Sequence, residues 1–116
     1  MADYRTFDWH ALLAKFEGDE DFARALLGVA LRSSASLPTD LRNACVAADY
    51  PALARLAHKV KGTAGDLVAA GLLVCARDAE LAAREADPAS IDMNLALADA
   101  LDAFLAEVRT AAAGAD

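Results

Sequence analysis

Within the nine residues Ala57-His58-Lys59-Val60-Lys61-Gly62-Thr63-Ala64-Gly65 lie one histidine, two lysines and two glycines. A neutral imidazole is a nucleophile and a proton carrier near neutral pH. An ammonium group nearby stabilises negative charge through charge-assisted hydrogen bonds. Such chemistry requires a ring that other molecules can reach. At about 100° per residue, Leu53, Leu56, Val60, Ala64 and Leu67 fall on one arc of a helix, and His58 lies roughly 150° from its centre. His58 shares its own arc with Ala54, Lys61, Gly62 and Gly65. The spacing therefore predicts an imidazole that points into water.

Gly62 needs a reason, because glycine inside a helix costs about 1 kcal/mol relative to alanine. One turn beyond His58, its missing side chain clears space beside the ring. Gly65 extends the clearing, and Ala54 keeps the preceding turn low. Lys61 can reach an anionic group carried on the ring, and Arg55 and Lys59 flank the site. No Asp or Glu occurs between Tyr50 and Gly65, in a chain whose net charge is −7. The plainer reading is a solvated surface histidine, with a glycine that marks close helix packing.

At these residues the chain resembles the histidine-containing phosphotransfer (HPt) domain family. The family signature is a helix reading Ala-His-x-x-Lys-Gly-Ser/Thr-Ala, then a break near Asn-Leu-Gly-Ala and a Leu. Ala57, His58, Lys61, Gly62, Thr63 and Ala64 match, followed by Leu67, Ala69 and Leu72. Phe7-Asp8 and Phe16-Glu17-Gly18-Asp19-Glu20 look like the family's opening, Asp49 also matches, and Asp78 to Asp87 is similar to its Leu-Glu-x-Ala-Ala/Arg stretch. Nearly the whole chain is covered. Asp66 stands where the family often has Asn, and Val68 where it often has Gly, which bears on the turn after the His helix.

The resemblance implies a phosphorelay carrier in two-component signalling. His58 would be the phosphoacceptor and Lys61 would stabilise the charge of phosphohistidine, with Gly62, Lys59, Arg55, Gly65 and Glu80 in support. Glu80 is placed near the ring by spacing, where a carboxylate could orient the imidazole by accepting its N–H. An ordinary solvated glutamate is the other reading of it. The implied partners are response-regulator receiver domains and a hybrid histidine kinase. The receiver would bring the aspartyl phosphate and its Mg²⁺, so no intrinsic cofactor is expected. Ala54, an exposed edge of Val60, Gly62 and Gly65 are the expected docking contacts. No Gly-rich phosphate loop is present, so autonomous kinase activity and an ATP site are not expected. The alternative from another class is a non-catalytic helical interaction module in which His58 is incidental.

Length and composition bound the remainder. A chain of 116 residues suits one domain, 1–116, with 1–6 and 114–116 frayed. Apolar residues make up 57%, but many are alanines, so the core must come from closely packed helices. No run of about 18 apolar residues occurs, which argues against a membrane span. Met-Ala-Asp-Tyr-Arg leads into no apolar segment, so a cytoplasmic protein without a secretory signal is expected. Met1 and a full set of helices favour a freestanding, monomeric carrier. The negative charge disfavours nucleic acid. Cys45 and Cys75 read as small reduced core residues. With His10 and His58 they lack zinc-ligand spacing, so no metal site is expected.

The elements that must position His58 all read as helices. Trp9, Leu12, Leu13 and Phe16 mark a short first helix stopped by Gly18. Asp19 caps a second, with Phe22, Leu26, Val29 and Ala30 as its apolar stripe. Ser33 to Ser36 and Pro38 mark a boundary before a third helix carrying Leu41, Ala44, Cys45 and Ala48. Asp49 caps the His helix, with Pro51 in its first turn. That helix should break near Gly65-Asp66, and a fifth should run from about Val68 to Ala86. After Asp87-Pro88, a last helix carries Ile91, Leu95, Ala98, Leu101, Leu105 and Val108. The expected architecture is all-α, an antiparallel up-and-down four-helix bundle with a short N-terminal helical cap that includes Trp9 and Phe16.

Overall fold

Three aspartates start three of the helices. Their side chains accept from backbone N–H groups that the first helical turn leaves unpaired. Asp8 takes Ala11 N at 3.0 Å, Asp19 takes Phe22 N at 3.0 Å, and Asp49 takes Ala52 N at 3.1 Å. The structure, a computed structural model, describes residues 7–114. The fraying expected of 1–6 and of 115–116 lies outside these residues. Six helices follow in order, α1 (Trp9–Lys15), α2 (Glu20–Ser34), α3 (Leu37–Val46), α4 (Tyr50–Asp66), α5 (Ala70–Arg84) and α6 (Ala89–Ala112). Among the described residues there is no strand, and no helix is long and apolar enough to cross a membrane.

The boundary at Ser33 to Ser36 is a bend and not a loop. Ala35 and Ser36 keep right-handed helical dihedrals between α2 and α3. Pro38 supplies the reason, since it has no N–H to bond back and its ring crowds the carbonyl four residues earlier. Helical bonding resumes with Asp40 N to Ser36 O at 2.9 Å.

The helices form a bundle in which α4 packs most extensively on α5, α5 on α6, and α3 on both α6 and α4. Leu53, Leu56, Val60 and Ala64 of α4 are buried, as is Leu67 at its end. Opposite them α5 offers Ala76, Ala79, Ala82 and Ala83, small side chains that let two helices approach closely. The buried arc of α4 is wider than the leucine spacing alone suggests. Ala54 is nearly enclosed and Val60 is fully buried, so Val60 has no exposed edge for docking.

Two other stripes match their expected positions in part. On α2 the core takes Ala23, Leu27, Ala30 and Ser34, while Phe22 and Val29 are each 52% exposed. Small residues at Ala23 and Ala30 allow close approach, and Phe22 instead meets Phe16 edge-on with ring centroids 4.9 Å apart. On α6 the expected Ala98, Leu101, Leu105 and Val108 are buried and Ile91 is half-buried, joined in the core by Ser90, Asn94, Leu97 and Phe104, while Leu95 is exposed. Ala48 lies beyond α3 in a left-handed turn, with φ +49°. Val68 (φ +58°) and Ala86 (φ +52°) have the same conformation after α4 and α5. α5 is two residues shorter at each end than expected, because these turns take up its flanks.

The short α1 closes one end. Leu12 is fully buried, and Trp9 lies under the Arg24 guanidinium at 4.8 Å. Lys15 Nζ donates to Asp66 O at 3.2 Å, placing a cation at the C-terminus of α4 where the helix dipole favours one.

Candidate functional site

His58 stands in the middle of α4, about two and a half turns past the Asp49 cap, on the side away from the leucine arc. Its side chain is 59% exposed. A Cβ built on Gly62 or on Gly65 would meet no atom within 4 Å. Neither glycine is therefore required by helix packing inside this domain, and both leave open ground beside the ring.

The next helix supplies the partner. Glu80, on α5, is 5% exposed, and its Oε2 lies 3.1 Å from His58 Nδ1. Lys61 Nζ lies 2.9 Å from the other oxygen, Oε1, an ion pair not aligned well enough to count as a hydrogen bond. Arg84, one turn along α5, donates to Oε2 from Nε at 2.9 Å and from Nη2 at 2.6 Å. A buried carboxylate needs such pairing, since leaving water disfavours its charged form. Burial pushes the Glu80 carboxyl up, but Lys61, Arg84 and His58 outweigh it and bring the group down to about 2. Glu80 is thus ionised at neutral pH.

That ionisation decides the tautomer. A carboxylate can only accept, so the contact with His58 requires the proton on Nδ1. In the neutral ring Nε2 then holds the free lone pair. An exposed ring with a fixed Nδ1–H and an unprotonated Nε2 can act as a nucleophile, with the carboxylate balancing the positive charge the ring acquires. Histidine and carboxylate share this division of labour in hydrolytic triads.

On the N-terminal side of the ring a groove of about 750 Å³ runs between α4 and α5. Tyr50, Pro51, Ala54, Ala83 and Ala86 line it together with His58, and Arg55, Lys59 and Arg84 supply its charge. No acidic residue lines it. Arg55 and Lys59 therefore do sit beside the ring. Lys61 is drawn instead to Glu80. Thr63 turns away from the site, its Oγ1 lying 3.2 Å from Oγ of the buried Ser34 on α2. Arg84 is the residue the sequence reading did not find. The available signal was Glu80 and Arg84 at i, i+4, the spacing of a helical ion pair.

The cysteines stand apart from this cluster. Cys45 is buried and Cys75 half-buried, and burial pushes both thiols up, away from the reactive thiolate. Among the described residues no group of three or more His, Cys, Asp or Glu side chains is placed to hold a metal.

Comparison with known proteins gives one positive finding. No curated protein and no solved structure matches the chain. The sequence model described as Hpt domain matches residues 25–111, from the middle of α2 to the end of α6 and including the His58–Glu80–Arg84 cluster. Hpt domains serve histidine phosphotransfer in phosphorelay signalling and meet receiver domains and histidine kinases there. With three quarters of its length matched, this chain belongs to the Hpt domain family.

Proposed function

We propose that this protein is a phosphorelay carrier that takes a phosphoryl group onto His58 from the aspartyl phosphate of one receiver domain and passes it to another. One observation carries the reading. A ring 59% exposed has its Nδ1 held by an ionised carboxylate, which leaves Nε2 as the attacking atom. The Nε2 lone pair forms the N–P bond, and the P–O bond to the receiver's aspartate breaks with its electron pair on that carboxylate. The ring keeps its Nδ1 proton and becomes cationic, facing Glu80. Glu80 acts as a positioning residue and Lys61 holds it from the far side. Mg²⁺ and most of the charge stabilisation come from the receiver.

The four longer arms of the chain, α2 with α3, then α4, α5 and α6, are proposed to run up and down as an antiparallel four-helix bundle, monomeric and cytoplasmic. The short turns between them support this reading. The open ground at Gly62 and Gly65 and the cationic groove toward Tyr50 would receive the partner. The chain would relay phosphate without making its own phosphodonor.

The exposure of Phe22 and Val29 on α2 favours a second reading, a helical module that binds a partner without chemistry. Mixing the protein with a phosphorylated receiver separates the two. Relay predicts an acid-labile, base-stable label on the wild type, and none on His58→Ala at unchanged helical content. Wild-type protein that binds the receiver yet acquires no label would leave only the interaction module.

A further inference from the structure

We infer that Arg84 is a positioning residue for the reaction at His58, limiting how strongly Glu80 holds charge on the ring. The inference rests on the proposed phosphotransfer at that residue. Three N–H donors converge on the single oxygen Glu80 Oε2, from Arg84 Nη2 at 2.6 Å, Arg84 Nε at 2.9 Å and His58 Nδ1 at 3.1 Å. The imidazole makes the longest of the three contacts. Its competitor is permanently charged and presents a planar fork that keeps its alignment. Sharing one helix at i, i+4, Arg84 and Glu80 also stay in register.

Charge counting gives the consequence. Lys61 and Arg84 are two fixed cations on one carboxylate, so the cluster carries +1 with a neutral ring and +2 with a protonated one. Without Arg84 these totals fall to 0 and +1, and the ring takes a second proton more readily. That proton would occupy Nε2, the atom that has to attack. Arg84 thus keeps the nucleophile free while the Nδ1 contact still aims the ring. It acts again after transfer. Phosphorylated at Nε2 and protonated at Nδ1, the ring is a good leaving group. A Glu80 relieved of Arg84 would hold that cationic form longer, and the phosphoryl group would be lost sooner to water.

The remaining charges around the ring are few. Arg55 and Lys59 on α4 share the groove with His58, and Arg77 on α5 lies with Lys61 and Glu80. From the α3 side, Asp40 and the cap Asp49 share a shallow cleft with Arg55 and Lys59. α2 meets α4 through Ser34 and Thr63, and the buried face of α6 carries no ionisable group. Arg84 is the cation in direct contact with the oxygen the imidazole uses.

The test compares wild type, Arg84→Gln and Arg84→Lys across the pH range in which imidazole titrates. Labelling rate from a phosphorylated receiver and ring-proton NMR of His58 are both followed. In Arg84→Gln the acid limb of the rate profile and the ring's titration midpoint should move to higher pH by about half a unit, an effect sized for an exposed charge. The rate at the alkaline plateau should not fall. The phosphorylated variant should lose its label up to about threefold faster at neutral pH, since half a unit changes the protonated fraction by at most about threefold. Arg84→Lys should restore most of the shift, and Arg84→Gln made on a Glu80→Gln background should produce a smaller one, since only the through-space charge of Arg84 is then lost. A limb and a midpoint in Arg84→Gln that superimpose on wild type would overturn the inference. If the wild type takes no label at all, the phosphotransfer reading fails, and the NMR midpoint alone decides the role of Arg84.

Discussion

His58 on α4 and Glu80 on α5 meet at 3.1 Å across the most extensive helix contact in the molecule, the ring mostly in water and the acid almost wholly out of it. The pair couples an exposed imidazole to the interior of the bundle. α5 can bring a carboxylate so close because its packing face is largely alanine. The same acid then needs Lys61 and Arg84 to stay ionised where it is.

The Glu80 carboxylate links this site to stability. Its folded value, about 2, lies below the ordinary 4.5. A depressed carboxyl contributes stability that is fully present above the unfolded value and is lost as pH falls through the folded one. The window therefore runs from about pH 4.5 down to about pH 2, and the shift corresponds to roughly 3 kcal/mol for this enclosed group. Denaturant unfolding followed over that window should show a steep loss of stability in wild type and a flatter one in Glu80→Gln. Parallel slopes would mean that the acid contributes nothing through its charge.

Glu80→Gln should also slow phosphotransfer at neutral pH by on the order of tenfold, by analogy with the loss of a partner that orients a metal-ligating histidine. The amide keeps the shape but not the charge that balances the ring. The check is labelling rate at saturating phosphorylated receiver, where a loss in the maximal rate with unchanged half-saturation marks orientation and not docking.

Gly62 separates activity from stability. Its helix position is exposed and a Cβ there meets nothing within 4 Å. Gly62→Ala should therefore raise stability by about 1 kcal/mol, read from urea unfolding midpoints. Gly62→Gln should fold equally well yet block labelling, because its side chain occupies the ground an incoming receiver needs. Undiminished transfer to Gly62→Gln would remove the reason for a glycine at this site.

The exposed side of the His helix was legible because leucines every three or four residues define an arc, and whatever lies opposite must face water. The helical class was legible for the same reason, and the three aspartate caps by residue type. On α2 Ala30 was read correctly, but Phe22 and Val29 were misread because hydrophobicity favours them, whereas close packing takes the small Ala23 beside Leu27. Leu95 was misplaced in the same way, since the α6 core line passes through two polar residues, Ser90 and Asn94. Arg84 stayed hidden because its significance depends on which oxygen of Glu80 it shares. The i, i+4 spacing marks an ion pair with Glu80, but not that the imidazole from α4 meets the same oxygen.

Val68 carries strain that a single substitution should relieve. It follows the last residues of α4 with φ +58°, a left-handed conformation in which a Cβ crowds the neighbouring carbonyl oxygen. The turn is nonetheless fully bonded, Val68 N to Gly65 O at 3.2 Å and Ala69 N to Ala64 O at 2.8 Å, the paired bonds of a Schellman motif. Left-handed geometry costs about 1–2 kcal/mol for a residue with a Cβ, toward the upper end for a β-branched one. Glycine avoids that cost but adds about 0.5–1 kcal/mol of chain entropy to the unfolded state. The residue is 38% exposed, so losing its side chain also gives up buried apolar surface that offsets part of this gain. The balance favours Val68→Gly by no more than about 0.5 kcal/mol, with a thermal midpoint about 2 °C higher. Val68→Ala keeps the Cβ and should gain much less. Equal midpoints for the two variants would locate any gain in the lost branches and not in the backbone, and a lower midpoint for Val68→Gly would show that the turn needs its side chain.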